Sequence, residues 1–567
     1  MINMSTVVVT GMETHTVFGD SKDAFWDGIV SGKIGIGQGS SEHLHQNEKY
    51  LKKTAILTQK ISNCIQNALR ETYISRDELE KRKAILLFGT FLGEVGCLDN
   101  DPSNNARPFD SIANEVAEQL ELEMPSIVLS NACASGIQAV GLGMDLIRRG
   151  NFDIAIVCGY EALNLFALAG MSSIKSLGDE LRPFDANRKG TVLSEGIGVI
   201  ILESEAIACE RKARIFAEVS GCGMSNDANH YVRPHPDGTG IVNAIKMALR
   251  DASLMPDDID YIQAHGTGTL LNDSTETKAI KSVFGDRAYK IPISGIKGSI
   301  GHTLGASGII ASIAAILSFE KNMLPPTANY SNFDAACDLD YIPQNSRGKR
   351  IERALCHSLG FGGVNGVLAL GRYPQNAEAA EDINRQIRIA NGVAGSWKEI
   401  RSEIELIKMI FTLIKELQIR SGQGQAFFSD MGIIADVGEG LFPSQKQFHE
   451  ELCNKGPLFV NPSLFCFSFP NRITGEIARE FCITGPTLTI CDSGADMQKA
   501  YLLGQTLLRR KKAGIALLVK IQKRCIAMLI LEEISSLAKT VAEPVDLCMK
   551  TLFEKYGQLA LEDENAI

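Results

Sequence analysis

One cysteine constrains this chain more than any other residue. Cys133 lies in Ser130-Asn131-Ala132-Cys133-Ala134-Ser135-Gly136, between an apolar, strand-like run (Pro125 to Leu129) and a helical pattern from Ile137 to Arg149. A strand that turns directly into a helix is the building unit of an α/β fold, and side chains at such junctions gather at the carboxyl edge of a sheet. A thiol there faces the positive end of a helix dipole. That favours the thiolate over a thiol whose ordinary pKa is about 8.5. Small neighbours leave room for a substrate carbonyl. A lone cysteine is more often buried and inert, so a nucleophilic Cys133 needs support from residues further along the chain.

Two histidine loops supply it. Gln263-Ala264-His265-Gly266-Thr267-Gly268-Thr269 comes after a strand candidate ending at Ile262. Ser294 to Gly308 carries Lys297 and His302, then opens into an apolar helix through Phe319. A third Gly-rich element, Ser358-Leu359-Gly360-Phe361-Gly362-Gly363-Val364-Asn365-Gly366, lets backbone approach a ligand closely and move. Taken singly, each is an ordinary loop. Of nine histidines, however, two stand in Gly-rich turns after strands, both downstream of the cysteine. A nucleophile with paired imidazoles fits acyl transfer.

Over residues 5 to 375 the chain resembles the β-ketoacyl synthases, in the elongating Cys-His-His subclass. The resemblance is carried by the opening Val7-Val8-Val9-Thr10-Gly11-Met12, by Trp26 and Gly32, and by the Cys133 segment. It continues through Arg182-Pro183-Phe184-Asp185 to Gly190 with Glu195-Gly196, and His265 to Thr269 with Asp273 and Glu276. Lys297 to Gly308 and Gly360 to Asn365 complete it. It implies an α/β, thiolase-like five-layer αβαβα fold of two related halves. It implies a decarboxylative condensation of an acyl group on Cys133 with malonyl delivered by an acyl carrier protein. Catalytic roles are implied for Cys133, His265, His302 and Lys297, with Lys297 setting the electrostatics around His302. Backbone N–H groups of Cys133 and Phe361 would form an oxyanion hole, and Phe361 with Gly362 a gate. Thr267 and Thr269 would hold the pantetheine arm, and Met171 and Leu359 would shape the acyl pocket. No cofactor or metal of its own is implied, because acyl and malonyl groups arrive on the phosphopantetheine of the carrier.

Ala311 stands where fatty-acid members usually carry a Glu, which leaves the partner of Lys297 open; Met171 and Leu359 stand where Phe is common. These departures favour specialised polyketide- or polyene-type synthesis. The alternatives are housekeeping fatty-acid elongation, or a non-elongating acyltransferase or scaffold partner.

The chain then continues past residue 375. Pro125-Ser126-Ile127-Val128 matches Pro486-Thr487-Leu488-Thr489, Ile147-Arg148-Arg149 matches Leu508-Arg509-Arg510, and Asp153 to Val157 matches Gly514 to Leu518, all at one constant offset. That offset puts Gly494 opposite Cys133. The tail therefore reads as a degenerate half-synthase without a nucleophile, similar to chain-length factors. Asp492 and Ser493 suit the cap of its following helix. The expected organisation is 1–205 and 206–375 for the two synthase halves, 376–395 for a linker, 396–535 for the degenerate half, and 536–567 for a tail with a helix candidate at 545–556.

Strand patterns at 7–10, 84–88, 127–129, 154–158 and 198–202, then at 216–221, 261–264, 291–294, 354–359 and 367–371, alternate with helical ones. A homodimer or hetero-oligomer is expected, through the helix after Cys133 and an edge strand at Ile154. The net charge of −10 argues against nucleic acid. An acidic carrier calls for a local basic patch, with Arg148, Arg149 and Lys189 as candidates. Fourteen cysteines without a CxxC pair, and no signal peptide, fit a reduced cytosol. No apolar run predicts a membrane span, and no metal-binding cluster is visible.

Overall fold

The structure, a computed structural model, describes residues 6–36, 53–95, 107–373, 387–396, 403–421, 428, 431–438, 443–494, 497–510, 512–522 and 525–533. The strands of the first half are β1 (Val7–His15), β2 (Ala84–Gly89), β3 (Ser126–Leu129), β4 (Ile154–Glu161) and β5 (Gly196–Ser204). The second half has β6 (Ala217–Asn226), β7 (Tyr261–Gln263), β8 (Ile293–Ser294), a short ribbon of β9 (Met323–Leu324) and β10 (Arg347–Gly348), then β11 (Arg353–Gly360) and β12 (Val364–Gly371). The tail supplies β13 (Ile387–Ser396), β14 (Met431–Asp436), β15 (Thr487–Ile490), β16 (Ile515–Gln522) and β17 (Cys525–Glu533).

One pattern occurs three times. The first half orders its strands β3-β2-β4-β5-β1, the second β8-β7-β11-β12-β6, and the tail β15-β14-β16-β17-β13. In each set the second strand pairs in parallel with its two neighbours, and the last two pairings are antiparallel. The two synthase halves thus form the thiolase-like fold, joined by β1 against β6. Helices Ser135–Arg148 and Ser307–Lys321 lie between them. Residues Ser307 to Phe319 are all buried, so this helix is apolar on every side rather than amphipathic. By length and hydropathy Leu304–Lys321 would suit a membrane, yet 89% of it lies inside the molecule. The two helices touch through glycine: a Cβ on Gly308 would fall 2.8 Å from the Ile137 backbone N, and one on Gly136 2.8 Å from the Gly305 carbonyl. That contact holds the Cys133 turn against the His302 loop.

The tail continues the sheet. β15 pairs antiparallel with β3 at Ile490 and Leu129, the Ser130 N–H donates to Thr489 O (2.9 Å), and the Cys491 N–H donates to Val128 O (2.9 Å). Leu129 thus meets its own counterpart in the repeat, and the two flanking hydrogen bonds are related to each other about that pair, as in an isologous two-fold interface, here within one chain. The edge expected at Ile154 is corrected accordingly. β4 is interior, between β2 and β5, and its uniform burial reflects two covered faces; β3 is the outer strand of the first half, and β15 covers it. The expected 376–395 linker is strand β13 from Ile387 onward. Ala390, Gly392 and Gly395, with a bulge between Ile389 and Asn391, hide its alternation. The 536–567 tail and its helix candidate lie outside the described residues.

Two clusters fasten the tail. Arg510 and Lys512 meet Asp145 of the Ser135 helix (3.2 and 2.7 Å) and Asp251, beside Arg148. Arg149 donates to Leu502 O (3.4 Å) and Thr506. Arg148 and Arg149 are therefore spent on internal contacts and are not carrier-docking residues. On the other side, Phe465 packs between Phe166, Phe448 and Phe469, at ring separations of 6.1, 5.7 and 4.9 Å.

The nucleophile position itself is rebuilt. In the catalytic half the last ladder pair is Gly89 with Gly159, and a Cβ on Gly159 would meet Ile309 at 3.0 Å. In the tail the same rung holds Asp436 and Lys520, a buried ion pair at 2.8 Å whose ammonium also donates to the Asp492 and Gly494 carbonyls. Asp492 and Ser493 do not cap the next helix, which starts at Gln498. Ser493 donates to Asp110, and Asp492 accepts from Lys499.

Candidate active site

Cys133 sits on a single 3-10 turn between β3 and the Ser135 helix. The preceding Ala132 has φ of +50°, a strained value for a residue with a Cβ. Its sulfur lies 3.2 Å from His302 Nε2. Leu304, itself at φ +44°, donates its N–H to His302 Nδ1 (3.2 Å), so the proton of the neutral ring is on Nε2, facing the sulfur. His265 stands nearly perpendicular to His302, with ring centres 5.5 Å apart. Lys297 Nζ lies 3.3 Å from His265 Nδ1 and donates to the His265 carbonyl. The ammonium occupies Nδ1, so His265 also carries its proton on Nε2.

Burial, and then the Lys297 charge, hold both imidazoles well below their ordinary pKa, so both are neutral at pH 7. The expectation that Lys297 acts on His302 is adjusted: it bonds to His265 and reaches His302 by charge alone. Burial lowers the Lys297 ammonium to about 8, against attraction from Glu276, Cys133 and Asp273. Glu276, not position 311, supplies the largest attraction. Its carboxylate accepts from the His265 and Gly266 N–H groups (2.8 and 3.0 Å) and meets His357 Nδ1 at 3.0 Å. The expected thiolate is not favoured at rest. Burial pushes the Cys133 thiol up to about 12, and the Lys297 charge only partly offsets this.

A cavity of about 300 Å³ gathers the residues singled out in the sequence: Cys133, His265, His302, Thr267, Thr269, Met171, Leu359 and Phe361 all line it. Thr267 and Thr269 join their hydroxyls at 2.9 Å. Exposed Lys175, Lys189 and Arg233 stand at its mouth. Gly360 packs against Cys133, since a Cβ there would fall 3.2 Å from the Cys133 N, which brings Phe361 beside the nucleophile. Gly362 and Gly363 have φ of +80° and +74°, and the Gly362 N–H is committed to the Tyr231 carbonyl (2.7 Å). Gly362 therefore supplies a bend rather than an oxyanion donor.

Sequence reading missed Glu161, the carboxylate closing apolar β4. It accepts from the N–H groups of Phe91 (2.8 Å), Leu92 (3.1 Å) and Gly305 (3.1 Å), tying two loops to the end of β4, and burial raises it to about 7. It also missed the tail's contribution. Phe361 stacks on Phe469 (5.9 Å, 20°), and Asn471 Nδ2 donates to the Phe361 carbonyl (2.7 Å). Phe469-Pro470-Asn471 belongs to a tail segment that resembles the amino-terminal half of a synthase, but nothing in the local sequence signals contact with Phe361.

Family comparisons agree with this geometry. The β-ketoacyl synthase N-terminal domain matches residues 58–208, and the β-ketoacyl synthase C-terminal domain matches residues 216–331. The 3-oxoacyl-[acyl-carrier-protein] synthase 2 of Synechocystis sp. is 35% identical over 409 residues, covering 65% of this chain and 98% of that protein. The solved AntDE:AntF complex, a type II PKS acyl-carrier protein with its ketosynthase bound to the hexaketide, superimposes with a TM-score of 0.60 at 30% identity. It covers 65% of this chain and 99% of its own. The PfaC keto synthase-chain length factor reaches a TM-score of 0.77 at 14% identity over 94% of this chain and 79% of its own, a likeness of fold alone that extends into the tail. With both halves matched and a cysteine and two neutral imidazoles converging on one cavity, the chain belongs to the β-ketoacyl synthase family of acyltransferases.

Proposed function

We propose that the chain is a condensing 3-oxoacyl synthase of specialised, polyketide-like synthesis, working on groups delivered by an acyl carrier protein, with its tail acting in cis as a chain-length factor. The observation that carries the reading is the pair of Nε2–H donors, on His265 and His302, facing one cavity beside the Cys133 sulfur. Cys133 attacks the acyl thioester carbonyl. Its sulfur–carbon bond forms as the carrier's sulfur leaves, taking the thiol proton. Malonyl thioester then enters, and its carbon–carboxylate bond breaks with loss of carbon dioxide. The electron pair moves onto the thioester oxygen, where both imidazoles donate, and returns to form the new carbon–carbon bond at the Cys133 acyl carbon. The Cys133 sulfur leaves as the thiolate and takes a proton from water, which restores the resting thiol. Neutral imidazoles suit this role, since they donate without protonating the enolate. Each well-placed donor contributes roughly 3 kcal/mol at such sites. Lys175, Lys189 and Arg233 at the mouth supply the positive charge an acidic carrier needs, and Phe361 is the gate to the acyl pocket.

The test is intact mass spectrometry of the protein with acyl-carrier and malonyl-carrier. The reading expects Cys133 acylation followed by a 3-oxoacyl carrier. His302→Ala is expected to keep acylation and slow extension roughly 100-fold, as for other single oxyanion donors. Acylation without extension in the unsubstituted protein would make it an acyltransferase, and no acylation at all a silent partner.

A further inference from the structure

The gate loop is gripped from the tail. Asn471 is buried and stands at the N-cap of the Arg472–Phe481 helix. Asn is among the best residues for accepting a helix's first N–H groups, yet here the side chain accepts from none of them. It turns away and gives its amide N–H to the Phe361 carbonyl at 2.7 Å, which leaves its own Oδ1 buried without a partner. Contact with the loop is close on both sides. A Cβ on Gly362 would fall 2.7 Å from Asn471 Nδ2, and one on Gly475, in the helix's first turn, 3.0 Å from the Gly362 carbonyl. The Phe361 ring rests on Phe469 and Phe91.

A buried acceptor left unpaired costs about as much as a lost hydrogen bond. The cap residue is therefore not arranged for the stability of its own helix. Side-chain capping needs an extended N-cap backbone, whereas Asn471 stands at φ −74° and ψ 2°, so its Oδ1 can reach the helix N–H groups only by a backbone change that also releases Phe361. We propose that Asn471 is a positioning residue acting as a two-state latch: it holds the Phe361–Gly363 loop closed through its Nδ2–H, and when the loop swings out it turns to cap the Arg472 helix. The two left-handed glycines allow the swing, and the second half-synthase thereby sets how readily the first admits an acyl chain. This rests on the reading of Phe361 as the gate.

Asn471→Asp separates a latch from a structural contact. The carboxylate cannot donate to Phe361, but it caps and favours the helix N-terminus. The assay is alkylation of Cys133 in the full chain by iodoacetamide and by a long-chain N-alkyl chloroacetamide, followed by intact mass, with no carrier or malonyl present. For Asn471→Asp the expected result is labelling by the long reagent about fivefold faster, the size of one net hydrogen bond, with iodoacetamide labelling unchanged and thermal stability held or raised. Asn471→Ala is expected to speed the long reagent as well, with some loss of stability. Equal acceleration of both reagents, unchanged rates, or slower labelling by the long reagent in Asn471→Asp would overturn the latch alone. Failure of the long reagent to label the unsubstituted protein would overturn the gate reading and the latch with it.

Discussion

Gly170→Ala is the most direct test of how the tail sits. Gly170 is a buried position in the helix Leu165–Ser173, with ordinary helical backbone. In an isolated helix the change to alanine is stabilising by about 0.5–1 kcal/mol. Here the new methyl would fall 2.0 Å from two ring carbons of Phe465 in the tail. That ring is fully buried and fenced by Phe166, Phe448 and Phe469, so it has nowhere to retreat. Overpacking of this kind costs about 1–3 kcal/mol. The difference is a net loss of up to about 2.5 kcal/mol, opposite in sign to helix propensity. Phe465→Leu alone should be destabilising through lost packing, but combined with Gly170→Ala it should cost less than the two changes added together, a coupling that only contact produces. Urea unfolding of the full chain, with limited proteolysis of the tail, measures it. A stable or stabilised Gly170→Ala protein, or strictly additive effects, would refute the docking of the tail on the Leu165 helix.

Two other outcomes are expected. Extension should fall as pH rises through about 8, where the Lys297 ammonium loses its proton and with it the positive charge beside His265 Nδ1, and Lys297→Met should remove that inflection from the pH–rate profile. Lys520→Met strands the buried Asp436 carboxylate, already raised to about 6 by burial, and should cost about 3–5 kcal/mol in urea unfolding; adding Asp436→Leu should recover most of it.

Much of this molecule was legible from its residues. The ten strand patterns of the two synthase halves mark strands because period-2 and apolar runs survive wherever a face is covered. Cys133, His265, His302 and Lys297 were found because Gly-rich loops after strands announce backbone that must bend close to something. The constant offset placed β3 opposite β15 and Gly494 opposite Cys133. What escaped was relational. β4 reads like any apolar strand, so nothing distinguishes an interior position from an edge. Small residues and a bulge mask β13. The basic pair Arg148-Arg149 reads as surface until Asp251 and Thr506 arrive from far along the chain. The thiol's high pKa belongs to the closed cavity rather than to the helix end.

The pairing of β15 with β3 has a bearing on stoichiometry. In an assembly of separate subunits, the two parts of such a sheet must meet by diffusion and can mismatch. Here both are translated in a fixed one-to-one ratio, and tethering raises their effective concentration without any added contact. Because the edge is filled from within, a second chain can enter it only by displacing the resident strand, which is domain swapping. Changes in the tail are also inherited together with the Cys133 half it is paired to, so the two parts of the sheet evolve as one unit.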